Sequence, residues 1–255
     1  MGGALARGWR QRGIEAESIF VAEPDSASAA RLKADTGATI VAGPGALQAK
    51  PDVVVFAVKP QGLAEIAPAY RSLADSVFLS IAAGRTLKFF AEALGPRAAV
   101  VRSMPNTPAA VGRGFTVACP NPNVAAAQRA LCQSLLEAVG EVAWVEDESL
   151  LDPVTAVSGS GPAYVFLLIE ALAEAGTAAG LPAELAERLA RATIVGSGEL
   201  ARLAPESAAE LRRAVTSPGG TTEAALKILM APGGLTDLMT RAVAAATARS
   251  RALAG

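Results

Sequence analysis

The residues Val53–Val58 form an unbroken apolar run with the sequence VVVFAV. Such a run is typical of a strand that is buried on both faces, as in parallel sheets covered by helices. Other apolar segments flank it, and helical stretches of about ten residues separate them. The first half of the chain is therefore predicted to fold as a mostly parallel, doubly wound α/β sheet.

The predicted elements alternate up to about residue 148. Strands are expected at Ser18–Ala22, Val53–Val58, Val77–Ile81, Ala99–Met104, Gly114–Ala118 and Val142–Val145. Helices are expected at Ser26–Thr36, Leu63–Leu73, Thr86–Leu94 and Val124–Val139. A helical pattern from Met1 to Gly13 opens the chain, whereas a dinucleotide fold feeds this helix from a strand and a Gly-rich turn. The chain therefore either opens naturally on this helix or lacks the first strand of such a fold. The family resemblance given below favours the second alternative, so the first strand is expected to be missing.

The strand signal disappears after about Ser149. Five helices are predicted there, at Pro162–Ala179, Pro182–Leu203, Pro205–Val215, Thr222–Met230 and Leu235–Leu253. The stretch Tyr164–Ile169 is apolar all round, so this helix must be buried on more than one side. The helical domain alone could bury such a helix, but packing against a second copy would bury it more fully, which favours a homodimer. The expected domains are a dinucleotide-binding domain over 1–148 and a helical dimerisation and substrate domain over 149–255.

The chain contains no histidine, which excludes Ser-His and Cys-His catalysis and the commonest metal ligand. Its two cysteines, Cys119 and Cys132, are too few for a four-cysteine zinc site or a disulfide framework. A net charge of −1 argues against a nucleic-acid partner. The longest apolar runs are far shorter than the roughly 18 to 20 residues that cross a bilayer, and no secretory signal pattern opens the chain. We therefore expect no metal, no membrane and a cytoplasmic location.

Two Gly-rich loops precede predicted helices. They are Ser158–Pro162 (SGSGP) and Thr216–Thr222 (TSPGGTT). Both place hydroxylated residues and glycines at a helix N-terminus, where free backbone amides and the helix dipole suit an anion. Each is also compatible with an ordinary helix cap. Neither contains the lysine of a nucleoside-triphosphate loop.

At these loops the sequence resembles the Δ1-pyrroline-5-carboxylate reductase family. The matching stretches are Ala57–Pro60 (AVKP), Ser80–Gly84 (SIAAG), Met104–Pro108 (MPNTP), Ser158–Tyr164 (SGSGPAY) and Ser217–Thr222 (SPGGTT). The resemblance implies a Rossmann-like domain, a helical dimerisation domain, and homodimers that can assemble into a pentamer of dimers. It implies reduction of Δ1-pyrroline-5-carboxylate to L-proline by NADH or NADPH, the last step of proline biosynthesis.

The resemblance also assigns cofactor contacts to the ends of the predicted strands. They are Met1, Glu23, Ala57, Val58, Lys59, Pro60, Ile81, Ala82 and Ala83. Lys59 is equally compatible with a solvated strand-end lysine, and Asn106 either lines the same crevice or forms a turn. An acidic group at Glu23 can bind both ribose hydroxyls of NAD and would repel the 2′-phosphate of NADP. Glu23 therefore favours NADH, unless it is an ordinary turn residue.

The substrate contacts implied by the resemblance lie mainly in the second Gly-rich loop. They are Glu148, Ser217, Gly219, Gly220, Thr221 and Thr222. Thr222 is the candidate catalytic residue, because its hydroxyl is similar in position to the group that binds the ring nitrogen. Glu148 matches an acidic residue near the substrate amine, or is simply a carboxylate at a helix start.

Two other functions remain open at this stage. A β-hydroxyacid dehydrogenase shares the two-domain plan, but it relies on a lysine in the helix after a Gly-rich loop. The helix after Gly161 has no lysine up to Gly180. The second alternative is a non-catalytic or impaired dinucleotide-binding dimer, which would follow if the first strand is absent as expected.

Overall fold

The computed structural model describes residues 1–254, which divide into two compact units. The first unit comprises Met1–Gly159 together with the chain from Ala246 onward, and the second comprises Ser160–Ala245. The first unit contains all of the described strands, and the second is helical. The predicted fold class, a Rossmann-like α/β region followed by a helical region, is confirmed.

The strands of the first unit are β1 (Phe20–Val21), β2 (Thr39–Ile40), β3 (Val53–Phe56), β4 (Val77–Ser80), β5 (Ala99–Met104), β6 (Gly114–Pro120) and β7 (Gly140–Trp144). Its helices are α1 (Gly2–Gln11), α2 (Ser26–Thr36), α3 (Leu63–Ile66), α4 (Leu87–Leu94), α5 (Ala126–Glu137) and α6 (Leu151–Val154). Each helix lies between strands or at an end of the series, as expected of a doubly wound sheet.

The strands form two sheets. Strands β3 to β7 pair in chain order, parallel except where β6 runs antiparallel to β5. Strands β1 and β2 form a separate parallel pair. Among residues 1–254 no strand precedes α1 and no ladder joins β1 to β3. In a doubly wound sheet the first strand of the fold lies between the strands that correspond to β1 and β3 here.

Both faces of the five-stranded sheet are packed. On one face a cluster of aromatic and aliphatic side chains includes Phe56, Phe78 and Phe90, and the ring of Phe56 stacks with each of the other two. On the other face Leu5 of α1 and Leu136 of α5 are completely buried against the strands. Burial of both faces explains why the strands read as continuous apolar runs.

The sequence-based boundaries agree closely with the structure, with a few differences. Helix α2 begins at Ser26 and ends at Thr36 as predicted, because Asp25 caps its start and Gly37 adopts φ of 74° after its end. The predicted strand Ser18–Ala22 contains only β1. The short strand β2 was not predicted. The expected helix Leu63–Leu73 is α3 followed by a 3₁₀ helix that includes Pro68, which has no amide to donate.

The second unit contains α7 (Gly161–Ala178), α8 (Ala183–Leu203), α9 (Ala208–Ala214), α10 (Thr221–Leu229) and most of α11 (Leu235–Ala254). Helices α7 and α8 pack closely at Gly176, where a Cβ would lie 3.3 Å from the Cβ of Ala186. No residue of α7 is buried within the chain. Its exposed apolar side chains include Val165, Phe166, Leu167 and Leu168.

The segment Glu148–Ala178 is long and apolar enough, by length and composition alone, to cross a membrane. Only 6% of its most apolar window is buried within the chain. The unbroken apolar runs in this segment are short because glycines, prolines and polar residues such as Glu170 and Glu174 interrupt them, so run length alone did not reveal it.

Candidate active site

The N-terminus of α1 lies beside the end of β3. Met1 is the N-cap residue and no side chain caps the helix, so the amides of Gly2 and Gly3 have no intrahelical acceptor. A Cβ on Gly2 would lie 2.9 Å from the Cβ of Ala57, which requires a close approach of helix and strand. An uncapped helix start at the carboxyl edge of a parallel sheet fits the diphosphate of a dinucleotide.

The loops after β3 and β4 are held next to each other. The amide of Ile81 donates to the carbonyl of Phe56 at 3.1 Å, which continues the pairing of the two strands. Arg85 Nε donates to the carbonyl oxygen of Pro60 at 2.8 Å. The structure therefore brings together the predicted cofactor residues Ala57 to Pro60 and Ile81 to Ala83. Arg85, which the sequence analysis missed, ties the two loops.

Glu23 lies two residues beyond β1, and its Oε1 accepts a hydrogen bond from the amide of Asp25 at 3.0 Å. Asp25 in turn accepts from the amide of Ser28 at 2.8 Å and caps α2. Hydrogen bonds from the side chain and the amide of Ser28 lower the pKa of Asp25. The end of β1 therefore carries two carboxylates, only one of which the sequence analysis had identified.

Asn106 has a structural role in this arrangement. Its Oδ1 accepts from the amide of Phe115 at 2.9 Å, and its Nδ2 donates to Ser158 Oγ at 3.1 Å. Both ends of the carboxamide are therefore engaged within the first unit. Of the two roles left open for Asn106, lining the crevice or forming a turn, the contacts support the turn.

Glu148 is bound by two groups of the first unit. Its Oε1 lies 2.8 Å from Arg102 Nη1 and also accepts from the amide of Leu87 at 2.8 Å. Arg102 is buried in β5, and a buried guanidinium requires a partner. The sequence analysis missed Arg102, although an arginine inside the apolar strand AVVRSM was a usable signal.

The loop Ser158–Pro162 differs from the expectation. Residues Thr155–Gly159 form a π-helical turn between α6 and α7, so Ser158 and Gly159 are helical and not part of a loop. The stretch does lead into a helix as predicted, because α7 begins at Gly161 after Ser160. Gly159 packs closely against Met104, and a Cβ at this position would displace the terminal methyl group of that side chain. Turns of this kind are frequent at functional sites, and this one packs onto the end of β5.

The Ser217–Thr222 loop has the expected form of a helix start. Gly219 adopts φ of 72°, and Gly220 is the N-cap of α10 without a side-chain cap. The amide of Gly219 donates to Glu223 Oε2 at 2.7 Å, so an internal carboxylate already uses one amide of this loop. Thr221 and Thr222 occupy the first turn of α10, with Thr222 half-buried. Carboxylate binding by backbone amides is chemically feasible at this position.

Comparisons with known proteins match both parts of the chain. A family model described as pyrroline-5-carboxylate reductase dimerisation matches residues 148–253, and one described as NADP oxidoreductase, coenzyme F420-dependent, matches residues 1–84. A pyrroline-5-carboxylate reductase from Pseudomonas aeruginosa is 41% identical over 100% of this chain and 93% of its own length.

Two solved structures are similar to the fold as a whole. A pyrroline-5-carboxylate reductase from Coxiella burnetii has a TM-score of 0.93 at 36% identity and covers 100% of this chain and 95% of its own. The pyrroline carboxylate reductase of Plasmodium falciparum with NADP bound has a TM-score of 0.84 at 31% identity, with the same coverage.

Fold, strand-end loops and comparisons together define an oxidoreductase of the nicotinamide-dinucleotide-dependent class with a dimerisation region. Within that class, the identity of 41% over the whole length is decisive. The chain belongs to the pyrroline-5-carboxylate reductase family.

Proposed function

We propose that this chain reduces Δ1-pyrroline-5-carboxylate to L-proline, the last step of proline biosynthesis, with NADH or NADPH as the reductant. The similarity to pyrroline-5-carboxylate reductases over the entire chain carries this proposal. The uncapped start of α1 and the Gly219–Gly220 helix start provide sites for the anionic groups of a dinucleotide and a carboxylate substrate.

The strand-end loops of the first unit are proposed to hold the dinucleotide. The residues involved are Met1, Glu23, Ala57, Val58, Lys59, Pro60, Ile81, Ala82 and Ala83. The cofactor supplies the hydride, so the protein contributes binding, orientation and exclusion of water. Orienting two reactants in this way is worth on the order of 7 to 11 kcal/mol.

NADH is proposed as the preferred donor. The family model that matches residues 1–84 is that of an NADP oxidoreductase, and the Plasmodium structure has NADP bound. The proposed preference for NADH therefore rests on this chain's own residues. Glu23 and Asp25 place two carboxylates at the end of β1, where the adenosine ribose lies in this fold. Their charges would repel a 2′-phosphate more than a hydroxyl.

The second Gly-rich loop is proposed to bind the substrate carboxylate. Its residues are Ser217, Gly219, Gly220, Thr221 and Thr222. Glu223 Oε2 accepts from the Gly219 amide, and this contact would hold the loop in its turn conformation. The Thr222 hydroxyl is proposed to bind the ring nitrogen. A cyclic imine that arrives protonated needs no strong acid from the protein, which is consistent with the absence of histidine.

Glu148 keeps its proposed place near the substrate amine, but its main contacts argue for an additional role. Arg102 and the Leu87 amide both approach Oε1. We propose that Glu148 anchors the 3₁₀ turn before α6 within the first unit, while its second oxygen faces the amine.

The chain forms a homodimer through its dimerisation region, residues 148–253, which the dimerisation family model matches. A second copy is proposed to cover the exposed apolar side chains of α7, in preference to lipid. A pentamer of dimers, a cytoplasmic location, and domain boundaries of 1–148 and 149–255 are further proposals from the resemblance. Light scattering of the 25.7-kDa chain distinguishes a dimer from a decamer.

The test is a steady-state assay in which oxidation of NADH or NADPH is followed on addition of Δ1-pyrroline-5-carboxylate. We expect substrate-dependent oxidation with both cofactors and a higher kcat/KM with NADH. Oxidation that does not depend on the imine contradicts the proposed reaction, and a strong preference for NADPH contradicts the assignment of Glu23.

A further inference from the structure

The last turns of α11 belong to the first unit and lie against α6. The hydroxyl of Ser250, which is only 6% exposed, donates a hydrogen bond to Asp152 at an Oγ–Oδ1 distance of 2.7 Å. Arg251 Nε lies 4.0 Å from Asp152 Oδ2. A partly buried hydrogen bond to a carboxylate therefore attaches the end of this helix to α6.

The same turns reach the loop after β4. A Cβ built on Gly84 would lie 3.3 Å from the carbonyl oxygen of Leu253 and 3.5 Å from its Cβ. Gly84 is buried and has φ of 68°, which side-chain-bearing residues rarely adopt. The backbone of α11 therefore packs directly on a glycine turn, one residue beyond Ala83.

A continuous set of contacts leads from this turn to the loop after β3. Arg85 follows Gly84 and donates from Nε to the carbonyl of Pro60. Its guanidinium carbon lies 4.9 Å from the centre of the Phe89 ring, which limits its movement. A displacement of α11 at Leu253 would therefore be transmitted to both strand-end loops.

We propose that residues 246–253 are a positioning element for cofactor binding, fixed by the Ser250–Asp152 hydrogen bond and acting through Gly84 and Arg85. These residues hold the loops and do not contact the cofactor themselves. The inference rests on the proposed function, since Pro60, Ala82 and Ala83 are cofactor contacts only within it. Because coupling between two sites is reciprocal, cofactor binding also stabilises the last turns of α11.

The first experiment measures the Kd of NADH by calorimetry for the dimeric wild type, Ser250→Ala and Asp152→Ala. Both variants are expected to weaken NADH binding by about three- to tenfold, equivalent to about 0.7–1.4 kcal/mol. The KM for NADH should rise in parallel. The kcat, and the KM for the imine at saturating NADH, should stay within about twofold of wild type.

Two variants serve as matched controls. Asp152→Asn keeps a side-chain oxygen that can accept from Ser250, so it should bind NADH nearly as well as wild type. Arg249→Ala changes the exposed neighbour of Ser250 and should have no effect on the Kd. The double variant Ser250→Ala/Asp152→Ala should be no worse than either single variant, because both remove the same hydrogen bond.

Hydrogen exchange gives a readout that a purely structural contact would not change. In the wild type, NADH should slow amide exchange at 246–253 as well as at 82–85, and Ser250→Ala should lose only the first effect. A lower unfolding temperature with an unchanged Kd and unchanged exchange pattern would overturn the inference. If the wild type neither binds NADH nor turns over the imine, the proposed function fails, and this inference fails with it. If Asp152→Ala does not fold, Ser250→Ala alone decides between these outcomes.

Discussion

The carboxylate of Glu148 joins three elements through one oxygen. Its Oε1 lies 2.8 Å from Arg102 Nη1 and 2.8 Å from the amide nitrogen of Leu87. The Arg102 side chain is 6% exposed and that of Glu148 is 28% exposed. The pair therefore holds the 3₁₀ turn Glu148–Leu150, which precedes α6, to β5 and to the first turn of α4.

Removing this carboxylate should destabilise the protein. Glu148→Ala leaves the Arg102 guanidinium buried without its partner, and we expect a loss of about 2 to 4 kcal/mol, since such buried unpaired charges are costly. Glu148→Gln keeps an acceptor for Leu87 and should cost less. Denaturant unfolding at a fixed protomer concentration measures both, because dimer stability depends on concentration.

The matched control is Glu146→Ala, whose side chain is 73% exposed in its ion pair with Arg129. This exposed pair should contribute less than about 1 kcal/mol. If Glu148→Ala has wild-type stability and only raises the KM for the imine, the anchoring role of Glu148 is wrong and the substrate role alone remains.

Cofactor preference should respond to Glu23. Glu23→Gln removes a charge beside the proposed ribose site, so kcat/KM with NADPH relative to NADH is expected to rise by about tenfold, the effect of about 1.4 kcal/mol. Steady-state kinetics with both cofactors measures the ratio. Glu17→Gln, at an exposed position before β1, is the control and should leave it unchanged. An unchanged ratio in Glu23→Gln would remove Glu23 from the cofactor site.

The Thr222 hydroxyl should assist turnover without being indispensable. Thr222→Ala removes one hydrogen bond to the ring nitrogen, and we expect kcat/KM to fall by about tenfold. Thr222→Ser retains the hydroxyl and should stay close to wild type. Thr177→Ala removes a hydroxyl bonded only to the carbonyl of Ala173 in its own helix and is the control. Complete loss of activity in a folded, dimeric Thr222→Ala would indicate an essential acid instead.

The two thiols should be unreactive in the folded protein. Burial raises the pKa of Cys119 to about 11, and the negative charges of Glu148 and Glu146 add to this shift. Burial raises the pKa of Cys132 to about 12. A thiol reagent at pH 8 should label neither residue in buffer and both in denaturant. Labelling of either thiol in the native dimer would contradict this environment.

The same shifts predict how stability depends on pH. Each thiol loses its proton at lower pH in the unfolded state than in the folded state. The contribution of the thiols to the free energy of unfolding is therefore complete below about pH 9, and it declines as the pH rises towards the pKa values of the folded state. The decline should be about 1 kcal/mol per pH unit for each thiol. A Cys119→Ala/Cys132→Ala variant should show a flatter profile, and an identical slope in both proteins would contradict this explanation.

Most of the fold could be predicted because its signals are local. Strand β5 and helix α2 have the predicted boundaries, since an apolar run, an Asp cap and a Gly stop are readable in the sequence. Strand β2 is two residues long and could not be distinguished from a loop. The π-helical turn at Thr155–Gly159, where Gly159 packs against Met104, has no local sequence pattern that distinguishes it from a loop.

The candidate site was predicted less completely. The strand-end residues follow from the rule that ligands bind at the carboxyl edge of such sheets, and the structure places Ala57 to Pro60 and Ile81 to Ala83 side by side. Contacts between residues distant in sequence were missed. Arg102 with Glu148, and Asp152 with Ser250, are separated by 46 and 98 residues.

Isotope transfer tests the central claim most directly. The protein is incubated with NADH carrying two deuterium atoms at carbon 4 of the nicotinamide and with Δ1-pyrroline-5-carboxylate, and the product is analysed by mass spectrometry. We predict L-proline that carries one deuterium at carbon 5, formed in equal amount to the NADH oxidised. Proline without deuterium, or NADH oxidation without proline, would contradict direct hydride transfer to the imine carbon by this protein.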